Sequence, residues 1–206
     1  MESFNLWNKI PFYESEPNEN THKGQMREIY KKYTFKKFLS LDPVLMQEYE
    51  STGLLLKPDS WGIKDFMSWP YITVKEIQLT LSEDYDYEQV IDIIKELTGM
   101  PVKKILGKTW IDIFKFIKFV FKSIERINEL EKKLVYEPDA DEQNAGIEMY
   151  NEFGVFATID RLAGGDPLKY DEIGKTEFSV IFVKLRLNQV DVQFAKNYQK
   201  VIMSKK

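Results

Sequence analysis

Gly-Lys-Thr occurs twice in this chain, at Gly107-Lys108-Thr109 and at Gly174-Lys175-Thr176. It is the triplet that closes a phosphate-binding loop, and such a loop needs another glycine five positions earlier so that backbone N–H groups can cradle phosphate. Val102 and Lys169 stand at those positions, and neither triplet follows a plausible strand. Both triplets therefore read as punctuation between helices.

The other chemistry-bearing residues are scattered. Asp160 and Asp166 flank Gly164-Gly165, but a calcium loop needs several oxygens at alternating positions closing on a glutamate. Asp166 before Pro167 reads instead as a helix N-cap. His22 is the only imidazole, and nothing supplies it with the serine and aspartate of a triad. The acidic groups Glu83/Asp84, Asp139/Asp141/Glu142 and Asp171/Glu172 lie in hydrophilic surroundings, whereas glycosidase-type work needs one carboxyl held in an apolar pocket. Cysteine is absent, which removes disulfides and thiol chemistry. The expectation is a chain without catalytic residues, metal or cofactor.

One binding platform remains. Arg27, Lys31, Lys32, Lys36 and Lys37 are interleaved with Tyr30, Tyr33, Phe35 and Phe38, a mixture that suits a nucleic-acid strand. The plainer reading is an element with a solvated basic face. A net charge of −4 weighs against a protein built to coat nucleic acid.

The elements that would position these residues are helices. Leu97-Thr-Gly-Met-Pro101 precedes the first triplet and Leu162-Ala-Gly-Gly-Asp-Pro167 precedes the second. Glycine past a helix end, proline in the next first turn and threonine as a cap predict helix, break, short helix, break, helix in each stretch. Asp42-Pro43 opens a helix to about Gly53, a short helix is expected near 63–68, and a capping box at Thr73–Glu76 opens another to Leu81. Asp86 opens the helix to Leu97. Ile113, Ile117, Val120, Ile124 and Ile127 then make a packing seam along a long helix, 109–134. Beyond the acidic break at 136–142, helices are expected near 141–151, 154–162, 167–173, 177–188 and 190–203. No run of about 18 uncharged apolar residues offers a membrane span, and the start Met-Glu-Ser-Phe-Asn-Leu-Trp does not read as a secretory signal.

The expected fold is mainly α: a helical bundle of two helical units, related by the repeated punctuation, behind a partly extended N-terminal arm. The boundaries are 1–71 for the arm and an irregular region, 72–135 for the first unit and 136–206 for the second. Phe4, Trp7 and Phe12 could anchor the arm on another subunit. Trp110, Phe114 and Phe121 widen the seam of the long helix, so that they too are candidate partner-binding residues.

From Ile72 onward the chain resembles the tail-assembly chaperones and related small helical morphogenesis proteins of tailed bacteriophages. The likeness is carried by Ile72-Thr-Val-Lys-Glu-Ile-Gln78, by Val90-Ile-Asp-Ile-Ile-Lys-Glu-Leu-Thr-Gly99 with Pro101, and by Phe153-Gly-Val-Phe-Ala-Thr-Ile-Asp-Arg-Leu-Ala-Gly-Gly-Asp166. Lys169-Tyr-Asp-Glu-Ile173 and Val180-Ile-Phe-Val-Lys-Leu185 complete it. The resemblance implies a non-enzymatic protein whose partners are other phage structural proteins, with self-association as a further option, acting in the virion or the host cytoplasm. It leaves open whether the protein is a transient chaperone or a permanent part of the particle.

Overall fold

The computed structural model describes residues 33–53, 55–82, 86–134 and 138–204. The N-terminal arm, with Phe4, Trp7, Phe12, His22, Arg27, Lys31 and Lys32, lies outside the described residues. The rest is mainly helical, as the periodicity predicts. Its α-helices are α1 (Phe35–Phe38), α2 (Pro43–Gly53), α3 (Tyr71–Ser82), α4 (Tyr87–Thr98), α5 (Val102–Gly107), α6 (Trp110–Glu131), α7 (Ala140–Asn144), α8 (Val155–Ala163), α9 (Tyr170–Lys175) and α10 (Phe178–Met203).

The described residues divide into two compact units, those within 33–63 and 79–122 and those within 64–78 and 123–204. These bounds differ from the expected 72–135 and 136–206. They fall inside α3 and α6 because neither helix has a glycine or proline to break it, so the two ends of each pack into different clusters.

In the first unit the starts of α1, α2, α4 and α6 are each fixed by a side chain, while α5 simply follows Pro101. The Asp42 carboxylate accepts from the Leu45 amide at 3.0 Å, one residue before Pro43. Asp86 and Gln89 form a reciprocal capping box, and α4 ends at Gly99 with φ 66°, the left-handed conformation glycine adopts at little cost. The core is aromatic. Phe38 is fully buried, with its ring 5.4 to 6.3 Å from those of Tyr87, Phe114, Tyr49 and Trp110. Val90, Ile93, Ile94 and Leu97 bury one face of α4. Trp61, held at φ 50°, stacks on Phe116 at 4.3 Å and carries the Lys108 ammonium 4.4 Å above its ring.

The second unit has a smaller core: Phe66, Tyr71, Thr73, Val74, Ile77, Ile124, Ile127, Ile159, Ala163, Phe178 and Ile181. Beside it, Lys75 pairs with Glu131 at 2.5 Å, and the Gln78 amide donates to Asn128 at 2.6 Å and to Glu131 at 2.9 Å. Burial and the Glu131 charge push the Tyr71 phenol up to about 12.

Both units contain the same tie. In the first, Thr34 and Thr109 face each other across an isolated antiparallel bridge. Phe35 N–H donates to Lys108 O at 2.7 Å, and Trp110 N–H donates to Tyr33 O at 3.3 Å. In the second, Pro70 faces Glu177; Tyr71 N–H donates to Thr176 O and Phe178 N–H to Trp69 O, both at 2.8 Å. The facing pair exchanges no hydrogen bonds of its own, so Pro70 loses nothing by lacking an N–H. Each tie is preceded by a helix ending at a left-handed glycine, Gly99 or Gly164, and by a short helix.

Several expected details are corrected. Helix α3 begins at Tyr71, fixed by this bridge, so Thr73 and Glu76 lie within the helix and form no N-terminal box. The expected helices 177–188 and 190–203 are one helix, α10. No glycine or proline interrupts it, and Asn188-Gln189 costs only a few tenths of a kcal/mol per residue in propensity. The region 141–151 is α7 followed by a 3-10 segment, Ile147–Phe153, separated at Gly146 with φ 82°. The short helix near 63–68 is an Asp65-capped 3-10 turn, Phe66–Ser68.

Candidate interaction surface

The last helix has two apolar faces. At 100° per residue, Phe178, Ile181 and Leu185 fall on one side, and Phe178 and Ile181 are buried. Arg186 donates to Lys133 O at 2.9 Å and to Gln189 at 2.8 Å, and Lys196 donates to Asp139 at 3.2 Å. These contacts fix which way α10 faces within its unit. The Lys196 ammonium and the Glu142 amide hold the Asp139 carboxyl below its usual range, the amide being the larger cause.

The opposite side of α10 carries Val180, Val183, Leu187, Val190, Phe194, Tyr198 and Val201, spaced by three and four residues. All seven are between 49% and 68% exposed. The stripe runs nearly the length of a helix that, at 1.5 Å per residue, is about 39 Å long. Only Lys184 and Asp191 border it on one flank as charged residues; Arg186 lies on the other. Met149, Tyr150, Phe153, Phe156 and Leu168 add exposed apolar side chains elsewhere in the same unit.

The expected partner-binding residues on the long helix are placed differently. Trp110 is completely buried and Phe114 nearly so, both inside the first unit's aromatic cluster, while Phe121 is half-buried. The width of the α6 seam is used up within the chain, because α6 has core residues around more than one side: Ile113, Phe116, Ile117 and Val120 are also buried. Trp110 and Phe114 present nothing to a partner. Of the basic segment, Lys36 and Lys37 are exposed, but Phe35 and Phe38 beside them have no exposed surface on which a base could stack.

The candidate chemistry has structural explanations. Lys108 caps the Trp61 ring and Lys175 pairs with Asp171 at 2.5 Å. Asp166 accepts from Leu168 N–H at 3.0 Å as an N-cap, and Asp160 accepts from the Tyr170 hydroxyl, which holds that phenol above its ordinary value. Among the described residues no group of three or more acidic or histidine side chains converges as a metal site, and no helix is long and apolar enough to cross a membrane.

Sequence reasoning missed the α10 stripe. Its three-and-four spacing was present in the residues, but the expected break at 188–190 divided it into two short pieces. Comparison with known proteins returned no matching family model, no matching curated protein and no matching solved structure.

Proposed function

We propose that this chain is a non-enzymatic morphogenesis or virion structural protein of a tailed bacteriophage, acting in tail or neck assembly by presenting helix faces to other phage subunits. The observation that carries the interaction part of this reading is where the apolar surface lies. Among the described residues, every large exposed apolar side chain except Val44, Leu55, Leu79 and Val102 belongs to the second unit, and most lie along α10. A small core beside so much exposed apolar surface is the composition of a part made to be covered. The phage setting comes from the resemblance of residues 72–206. The N-terminal aromatics Phe4, Trp7 and Phe12 remain part of the proposal as a second anchor.

Mass spectrometry of purified particles and of assembly intermediates from the phage that encodes the chain tests this. The chain is expected in one or the other: at high copy in particles if structural, only in intermediates if a chaperone. Its absence from both would overturn the reading. Nucleic-acid binding through Arg27, Lys31, Lys32, Lys36 and Lys37 is the alternative, and a salt-dependent DNA mobility shift abolished by reversing those charges would favour it.

A further inference from the structure

We propose that the outward stripe of α10 is a self-association surface on which two copies of this chain pair antiparallel. The stripe is continuous from Val180 to Val201, lies opposite the buried Phe178 and Ile181, and has the three-and-four spacing of a two-helix seam. Its half-exposed side chains offer on the order of 600 Å² per copy, so that a pair would bury about 1,200 Å², the lower edge of specific interfaces. An interface of that size suits a reversible dimer rather than an obligate one.

Charge selects the partner and the direction. Lys184 and Asp191 are exposed and lie on the same flank of the stripe, seven residues apart. Turning a second copy end for end brings each lysine against the other copy's aspartate, twice by symmetry. That register sets Leu187 against Val190 and Val183 against Phe194 of the other copy. Sliding the pair by one heptad toward the C-terminus would place Asp191 against Asp191, so the charges also fix the register. A parallel pair would offer Asp191 only Arg186, whose guanidinium is already bonded to Lys133 O and Gln189 in its own chain.

This pairing stands apart from the phage assignment: a dimer found in a chain that never enters an assembly would sink the function and leave the interface intact. The test is sedimentation equilibrium of the full chain from 5 to 200 µM. Wild type should pass from the 24.4 kDa monomer to twice that mass. Lys184→Glu or Asp191→Lys alone should raise the dissociation constant at least tenfold, and the two together should restore it to within about threefold. Because the chain has no cysteine, direction can be read by oxidation. Lys184→Cys mixed with Asp191→Cys should give mainly the mixed disulfide, with circular dichroism confirming unchanged helicity. A monomer at 200 µM would overturn the proposal, whatever covers the stripe instead. So would a dimer indifferent to the charge reversals, or Lys184→Cys linking to itself in preference to Asp191→Cys.

Discussion

The backbone N–H of Tyr71 donates to the carbonyl oxygen of Thr176 over 2.8 Å, fixing the start of α3 beside the residue two before α10. Phe35 and Lys108 do the same in the first unit, at 2.7 Å. In each case the residue after the bridge is aromatic and buried: Phe35 and Trp110 in one unit, Tyr71 and Phe178 in the other. The two units therefore share a construction, in which a helix ends on a left-handed glycine, a short helix follows, and a single bridge launches a long helix.

The shared construction is out of step with the shared sequence by one residue. In the first unit Thr109, the third residue of its triplet, is the bridging residue, and its hydroxyl accepts from Asp112 N–H at 3.2 Å as a cap. In the second unit Glu177 bridges, and the Thr176 hydroxyl instead donates back to Glu172 O at 2.9 Å. Thr109→Ala should cost about 1 kcal/mol. Thr176→Ala should stay within about 0.5 kcal/mol. Urea denaturation of both variants checks the difference, and equal losses would contradict it.

At Gly53 a local rule should reverse sign. Alanine in place of a helical glycine ordinarily gains up to about 1 kcal/mol. Here a Cβ would lie 2.2 Å from Cδ1 of the Phe114 ring. Gly53→Ala should therefore destabilise by roughly 1–3 kcal/mol, the usual cost of overpacking. Adding Phe114→Leu should recover part of that loss, a coupling that a double-mutant cycle measures.

Glu50 gives the fold a pH signature. Its carboxyl is half-buried and accepts from the Tyr87 hydroxyl; burial raises its pKa above the ordinary 4.5, more than the hydrogen bond lowers it. A raised folded value means that the native state holds the proton more firmly. The stabilisation is complete below pH 4.5 and is lost as pH rises through the folded value. Glu50→Gln keeps an acceptor for Tyr87 without the charge. Its thermal midpoint should match the wild type near pH 4 and exceed it at pH 7. A constant difference across that range would refute the assignment.

Buried and exposed aromatics should separate cleanly. Trp110→Ala removes the centre of the aromatic cluster and should cost about 3–5 kcal/mol. Phe194→Ala, on the exposed stripe of α10, should change the monomer's stability by no more than about 0.5 kcal/mol. Denaturation at concentrations well below any association reads both.

The sequence was most legible where a backbone requirement has a dedicated residue. Gly99, Gly164, Asp42-Pro43, Asp86 and Asp166 mark their helix boundaries correctly because left-handed turns and orphan N–H groups accept few alternatives. Boundaries set by tertiary hydrogen bonds were not legible. Tyr71 starts its helix because Thr176, more than a hundred residues away, supplies the bond. The apolar patterns were visible on α6 and α10 alike, yet spacing does not say which face the chain itself will cover. Trp110 and Phe114 are consumed by the aromatic cluster, while Val180 to Val201 are left outward.

The central proposal is that this chain serves phage assembly and that the outward face of α10, on which two copies pair, is needed for it. It is tested most directly by particle yield from the phage carrying Leu187→Glu together with Phe194→Glu in this gene. Both side chains are more than half exposed in the single chain, so the purified variant should keep its helicity and, at concentrations below those at which copies pair, its thermal midpoint. The account predicts at least a hundredfold loss of infectious particles, with incomplete tails or necks accumulating. Wild-type yield from that variant would contradict it.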